Sequence, residues 1–280
     1  MIISVASGKG GTGKTTVAVN LALSLKGDSQ FLDCDVEEPN AHIFLKPKIT
    51  QSQSVSIPIP QVNKKRCTYC GKCGEVCAYN AIAVLPKDVL VFPELCHGCG
   101  GCTLLCPENA ITEKGKEIGI VEIGEVKDLR FIHGKLNISE AMSPPLIRAV
   151  KKYINNSKNV IIDVPPGTSC PVIEAVKGSD FCILVTEPTP FGFNDLVLAV
   201  EVLRKLNIPF GVVLNRADVG DKEVDKYCKD ENIPILMRIP FDRKIAEVYS
   251  KGIPIVEAIP QYKQRFEKLF EEISHLGVGR

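Results

Sequence analysis

Residues 8–15 read GKGGTGKT, and this short stretch decides the fold. An apolar run, Ile2–Ala6, comes directly before it, and residues 15–25 follow with helical spacing of their apolar side chains. A G-x4-G-K-[ST] loop between a strand and a helix lets backbone N–H groups turn inward around phosphates at a helix N-terminus. The sequence therefore predicts a nucleotide site at the end of the first strand.

Two side chains of this loop have predicted chemical roles. Lys14 is expected to reach the terminal phosphates, and Thr15 is expected to hold Mg²⁺. The residues predicted to surround the nucleotide phosphates are Gly8, Lys9, Gly10, Gly11, Thr12, Gly13, Lys14, Thr15 and Thr16.

Apolar runs alternate with helical stretches outside the middle of the chain. Further runs occupy residues 31–32, 160–164, 181–186, 210–214 and 235–239. This alternation predicts an α/β fold with a mainly parallel sheet and helices on both faces. The polar, proline-containing residues 51–63 are predicted to form a crossing loop.

Eight of the 12 cysteines form two runs with the same spacing, C-x2-C-x2-C-x3-C, about 29 residues apart. This is the bacterial ferredoxin pattern, in which the fourth cysteine of each run ligates the other 4Fe–4S cluster. Zinc is the alternative, but zinc sites favour separated CxxC pairs. The first run lacks the proline that follows the last cysteine of the second. The predicted ligand sets are Cys67, Cys70, Cys73 and Cys106 for cluster one, and Cys96, Cys99, Cys102 and Cys77 for cluster two.

These cysteines define the predicted domain organisation. Residues 62–118 are expected to form a small inserted α+β domain, similar to a bacterial ferredoxin, with two clusters. Residues 1–61 and 119–280 are expected to form the P-loop ATPase domain around it.

A second lysine in the loop, Lys9, resembles the deviant Walker A P-loop of the MinD/ParA superfamily, which includes the nitrogenase iron protein. The resemblance implies ATP/ADP and Mg²⁺ as ligands. It also implies a homodimer, or a heterodimer with a related ATPase, in which Lys9 acts on the partner's nucleotide. The combination with the cysteine runs resembles MinD-superfamily ATPases that carry an inserted ferredoxin domain.

The same resemblance assigns further site residues. Asp35 would orient the attacking water, while Asp33 and Asp163 would support Mg²⁺; a helix-capping turn is the alternative for the Asp33–Asp35 pair. Asn215 would read adenine. Pro240 and Phe241 would flank the base, unless they and Asn215 serve only loop packing.

Bulk composition narrows the classes of partner. Lys+Arg 34 against Asp+Glu 33 gives a net charge of +1, which does not support a nucleic-acid partner. No signal peptide or membrane-spanning run is recognisable, so a cytoplasmic location is expected. The C-terminal amphipathic stretch mixes both charge signs and is predicted to pack on the core rather than on a membrane.

Three functions remain open at this stage. The first is ATP-gated electron transfer through two clusters to an unknown redox partner. The second is an ATP-dependent carrier or assembly factor that delivers iron–sulfur or other metal cofactors to a client. The third is a MinD-like positioning module with structural clusters. Cys170 lies at the position where the nitrogenase iron protein has a cluster-ligating cysteine at its dimer interface, but the second interface cysteine of that protein has no counterpart here. His133 is suggested to lie on the dimer face.

Overall fold

Strands and helices alternate through most of the chain in the computed structural model, which describes residues 1–25 and 29–277. The strands are β1 Ile2–Ala6, β2 Ser29–Asp33, β3 Lys48–Val62, β4 Ile82–Leu85, β5 Asp88–Val91, β6 Ile111–Val126, β7 Leu129–Leu136, β8 Asn159–Asp163, β9 Phe181–Thr186, β10 Phe210–Asn215 and β11 Ile235–Ile239. The helices are α1 Lys14–Ser24, α2 Ala41–Leu45, α3 Lys72–Glu75, α4 Gly101–Leu104, α5 Pro144–Lys151, α6 Cys170–Val176, α7 Pro190–Lys205, α8 Glu223–Asp230, α9 Arg243–Ser250, α10 Ile255–Ala258 and α11 Pro260–Gly277.

The central sheet has the strand order β11-β10-β9-β1-β8-β2-β7-β6-β3. The seven strands from β11 to β7 are parallel, and at one edge β6 pairs antiparallel with both β7 and β3. Helices α5, α6, α7 and α8 bury apolar side chains against one face, and α1, α2, α10 and α11 do so against the other. The predicted mainly parallel sheet with helices on both faces is confirmed.

The C-terminal helix α11 packs on the core, as its periodicity predicts. Tyr262, Phe266, Leu269 and Ile273 recur on one face of the helix, and all four are buried. In the part of the chain that the structure describes, no helix is long and apolar enough to span a bilayer.

The prediction of a crossing loop at residues 51–63 is wrong, because β3 is a strand of 15 residues that pairs with β6 along nearly its whole length. The prolines Pro58 and Pro60 made this stretch resemble a loop. An edge strand tolerates proline, because an N–H that faces outward has no neighbouring strand to bond. The strands β3 and β6 lie about 60 residues apart in the sequence, so no local pattern reveals that they pair.

The strand register shows that β3 and β6 extend beyond the rest of the sheet. Leu136, the last residue of β7, pairs with Gly119, and Gly119 pairs with Val55. The first eight residues of β6 and the matching part of β3 therefore extend past the carboxyl ends of the parallel strands. At about 3.4 Å per residue this two-stranded arm projects about 27 Å beyond the sheet. The arm carries residues 63–110 at its tip.

Residues 63–110 form a cysteine module with a backbone that repeats every 29 residues. Its short helices α3 and α4 are 29 residues apart, and the β4–β5 hairpin lies between them. Positive φ angles recur at the same offset, at the pairs Tyr69 and Gly98, Gly71 and Gly100, and Asn80 and Asn109. The predicted boundaries at residues 62 and 118 fall at the end of β3 and inside β6.

Candidate functional site

The loop after β1 has the conformation that its glycines permit. Gly11 and Gly13 have φ angles of 80° and 93°, in the left-handed region that other residues enter only with strain. Gly8 is required by contact, since a Cβ there would lie 2.2 Å from the backbone oxygen of Asp195. The Ser7 hydroxyl donates to the Lys9 carbonyl at 2.7 Å and ties the loop to the strand end.

Lys14 lies among acidic side chains at the carboxyl ends of two neighbouring parallel strands, β2 and β8. Its Nζ is 3.1 Å from Asp35 Oδ2 and 3.2 Å from Asp163 Oδ1, and the Thr15 hydroxyl donates to Asp163 Oδ2 at 2.6 Å. Burial alone would lower the pKa of Lys14, but the carboxylates of Asp163, Asp35 and Asp33 outweigh it and raise that pKa. The ammonium group is thus held charged in a buried position.

Acidic groups outnumber the cation at this point. Asp33 is fully buried and accepts hydrogen bonds from the backbone N–H groups of Asp35 and Ala41 at 3.1 and 3.2 Å. Burial and the neighbouring Asp163 raise the pKa of Asp33 well above its usual value, and burial also raises the pKa of Asp35. Three carboxyl groups face one ammonium group, and a divalent cation would stabilise their charged forms.

A cavity of about 370 Å³ opens from the glycine loop toward Asn215, Pro240 and Phe241, so most of the residues predicted for the phosphates and all three predicted for the base line one space. Asn215 also supports the loop, because its Nδ2 donates to the Thr12 carbonyl at 2.8 Å. The Phe241 ring is largely exposed, and the Arg216 guanidinium lies 5.9 Å from its centre.

The remaining loop residues differ in their accessibility. Gly10 and Thr16 line the cavity, whereas Lys9 does not line it and is half-buried. Thr12 is buried, and its hydroxyl oxygen has no hydrogen-bond partner among the described residues.

The eight cysteines of the module surround two smaller cavities. Among the residues that line one cavity are Cys67, Cys70, Cys73 and Cys106, and among those that line the other are Cys77, Cys96, Cys99 and Cys102. Each cavity thus combines the first three cysteines of one run with the last cysteine of the other run. The predicted ligand sets group the cysteines in the same way. The ligand scheme itself stays a prediction.

Backbone N–H groups approach the sulfur atoms with the same 29-residue repeat. The sulfur atoms of Cys67 and Cys96 accept from the backbone N–H two residues later, at 3.4 and 3.5 Å. Those of Cys77 and Cys106 accept from the backbone N–H four residues later, at 3.2 and 3.3 Å. Within the described ranges no three His, Cys, Asp or Glu side chains converge tightly enough to hold a single metal ion.

The four cysteines outside the module divide into two kinds. Cys34, Cys182 and Cys228 are buried, and burial raises the pKa of Cys182 to about 12 and that of Cys228 to about 11. Cys170 is exposed at the first residue of α6.

A histidine–glutamate cluster beside Asp33 escaped the sequence analysis. His133 pairs with Asp33 in the sheet register, is buried rather than placed at a surface for dimer contact, and its Nε2 lies 2.8 Å from Glu122 Oε2. The His42 ring from α2 packs against the edge of His133 with centroids 5.6 Å apart. Burial lowers the pKa of both histidines despite the nearby carboxylate of Glu122. The β2–β7 pairing places His133 beside Asp33, and the β6–β7 pairing places it opposite Glu122.

Comparison with known proteins agrees with this geometry. The chain is 34% identical over 258 residues to the uncharacterised protein MJ0579 of Methanocaldococcus jannaschii, with 90% of each chain covered. It is 26% identical over 305 residues to the iron-sulfur cluster carrier protein of Pyrococcus horikoshii, covering 98% of this chain and 87% of the relative.

Among solved structures, the septum site-determining protein MinD of Pyrococcus horikoshii, complexed with Mg-ADP, has a similar fold. The TM-score is 0.62 at 22% identity, with 99% of this chain and 97% of the other covered. Residues 3–255 match the CobQ/CobB/MinD/ParA nucleotide binding domain. The chain therefore belongs to that family and is a P-loop ATPase of the MinD/ParA superfamily.

Proposed function

We propose that this ATPase couples the state of its nucleotide site to one-electron transfer through two 4Fe–4S clusters held by the cysteine module. A bound 4Fe–4S cluster supplies reversible one-electron chemistry at low potential. The chain supplies the ligands, fixes their geometry, and connects the module to the nucleotide site through β3 and β6.

The buried side chains at the P-loop fit a Mg–nucleotide. Lys14 would contact the terminal phosphates, while Thr15 and Asp163, with Asp33 nearby, would hold Mg²⁺. The excess of buried carboxylates supports this role, because it leaves negative charge that a divalent cation neutralises. Asp35 would orient water, and Lys9 would act on the nucleotide of a partner ATPase, either a second copy or a relative.

The cysteine module fits two clusters by the chemistry of its donors. Each cavity offers four thiols from this chain alone, and backbone N–H groups already point at four of the eight sulfurs. Soft thiolate ligands suit iron–sulfur chemistry. A complete internal ligand set favours resident redox centres over a cargo that must leave.

The observation that carries the proposal is the shared edge of the sheet. Both the P-loop and the arm lie at the carboxyl ends of the parallel strands, where ligands bind in open α/β sheets. A change at Asp33 or Asp35 therefore occurs on the side of the molecule from which the module projects.

A second function, ATP-dependent delivery of iron–sulfur cofactors to a client, is favoured by a different observation. A relative with 26% identity over nearly the whole chain is named an iron-sulfur cluster carrier protein. In that case at least one cluster would be the substrate, and its cysteines would release it. Cys70 and Cys99 are the most accessible candidates, because both thiols are exposed.

An anaerobic redox titration followed by electron paramagnetic resonance, with and without Mg-ATP, separates the two functions. Gated electron transfer predicts two one-electron centres whose potentials or rates of electron release change with Mg-ATP. The carrier function predicts unchanged potentials, together with transfer of iron and sulfide to an apo-acceptor that requires Mg-ATP. Zinc in place of iron in the metal analysis would refute both.

Matched variants assign the sites. Lys14→Ala should abolish binding of Mg-ATP and of its non-hydrolysable analogues while leaving the iron content unchanged. Cys70→Ser and Cys99→Ser should each remove about half of the iron, since each is predicted to ligate one of two clusters. Cys228→Ser is the control, because this buried thiol lies outside the module, and its iron content should equal that of the wild type.

A further inference from the structure

We propose that the exposed cationic side chains beside cluster one form a docking face for an acidic electron-carrier protein. This inference rests on the proposed function, since it assumes that the module holds clusters. The cationic face is defined by Lys65, Arg66 and Lys72, which lie next to Cys67, Cys70 and Cys73 in the first cysteine run.

The internal repeat isolates the feature, because each position has an equivalent 29 residues later. The exposed Lys65, Arg66 and Lys72 correspond to Glu94, Leu95 and Gly101 beside cluster two. The backbone is the same at both places, with matching helices, positive φ angles and N–H bonds to sulfur. Cluster ligation therefore does not require the three cations, which leaves them available for contacts with a partner protein.

The three cations remain free to meet a partner. Lys64, the neighbour of Lys65, is neutralised by Asp88, with Nζ 2.8 Å from Oδ1. None of the three forms an ion pair within the residues that the structure describes. Two carboxylates, Glu75 and Glu108, also lie near this cavity and reduce the positive field without cancelling it.

The location suits exchange with another protein. The cluster-one cavity is lined by Val62 and Ile111, at the far end of the arm, whereas the cluster-two cavity is lined by Pro58 and Pro60, closer to the sheet. Cys70 is exposed at the outer cavity. A reduced acidic carrier docked here would give up one electron to the cluster that Cys67, Cys70, Cys73 and Cys106 would hold.

Electrostatic steering gives the proposal a measurable consequence. Opposite charges at a docking face raise association rates by about 10-fold or more at low salt, and the effect falls as the Debye length shrinks. Substitution of a rim charge changes the association rate and its salt dependence more than it changes the buried contacts.

The test uses the iron-loaded protein under anaerobic conditions with two reductants of opposite charge. One is a reduced acidic plant-type 2Fe–2S ferredoxin, and the other is the methyl viologen radical cation. The variant is the triple substitution Lys65→Gln, Arg66→Gln and Lys72→Gln. Its control, Lys226→Gln, Lys229→Gln and Lys268→Gln, removes the same charge from exposed positions of the ATPase domain.

The expected result is selective. At low salt the ferredoxin should reduce the variant about 10-fold more slowly than the wild type and the control, and rising salt should remove this difference. Reduction by methyl viologen should not slow. Equal rates with ferredoxin in all three proteins would overturn the docking face. The docking face would also be overturned if the wild type bound single-stranded DNA or anionic vesicles in a salt-dependent way, and the variant lost this binding while its rate with ferredoxin stayed unchanged. That result would assign the cations to a polyanion. Absence of iron from the wild type would instead refute the proposed function.

Discussion

Replacement of Gly13 by alanine tests whether the P-loop requires a left-handed residue packed against Asn215. Gly13 has a φ of 93°, and a Cβ there would lie 2.5 Å from Asn215 Nδ2, the atom that donates to the Thr12 carbonyl. The left-handed conformation costs about 1–2 kcal/mol in a residue with a Cβ. Loss of the displaced hydrogen bond adds about 0.5–1.5 kcal/mol.

The expected loss of unfolding free energy in Gly13→Ala is therefore about 2–3 kcal/mol before any nucleotide is added. For a chain of this size that corresponds to a melting temperature lower by roughly 4–10 °C. Differential scanning calorimetry of the nucleotide-free protein measures it. Affinity for Mg-ATP, measured by isothermal titration calorimetry, should fall as well, since the loop conformation that the phosphates need is strained.

Gly10→Ala is the matched control within the same loop. Gly10 lacks a positive φ, and a Cβ there meets nothing within 4 Å. Its melting temperature should stay within about 1 °C of the wild type, as for other exposed substitutions. The reasoning fails if Gly13→Ala melts with the wild type, or if Gly10→Ala is destabilised as strongly.

Three further predictions concern Asp33, Asn215 and Glu122. Because burial and Asp163 raise the pKa of Asp33, the folded state binds more protons than the unfolded state above the usual pKa of 3.8, and stability falls as the pH rises through this window. Asp33→Asn should therefore flatten the dependence of melting temperature on pH. An unchanged slope would contradict the assignment. Asn215→Ala should lower stability by about 1 kcal/mol through the lost Thr12 contact and weaken ATP affinity more than triphosphate affinity in calorimetric titrations; equal losses for both ligands would exclude a role at the base. Glu122→Gln should weaken the effect of Mg-ATP on the cluster signals without changing ATP affinity, and a full effect in that variant would exclude a route through the histidine cluster.

Local sequence patterns were sufficient for the ATPase scaffold. The apolar runs that became β1, β8, β9 and β10 are almost continuous because interior parallel strands are buried on both faces. The P-loop is recognisable because its glycines adopt backbone conformations that other residues avoid. The spacing of the cysteines was likewise sufficient to predict which of them lie around the same cavity.

The arm and the histidine cluster could not be predicted in this way. β3 is mostly polar, because an edge strand on an exposed arm has little to bury, and its partner β6 lies about 60 residues away. The contact between His133 and His42 depends on a side-by-side pairing of β2 and β7, which are separated by the whole cysteine module. Long-range register of this kind leaves no periodic signal in either segment.

The same long-range register connects the two halves of the proposed function. Ala41 begins α2 and donates its N–H to Asp33, so a change in the charge or position of that carboxylate acts directly on the helix that carries His42. His42 packs on His133, and His133 bonds Glu122 on β6, the strand that continues into the cysteine module. Packed cores respond to such displacements by discrete repacking rather than by smooth deformation. The nucleotide site therefore has a continuous set of contacts to Glu122 near the base of the arm, and the proposed coupling between nucleotide and clusters would pass through these contacts.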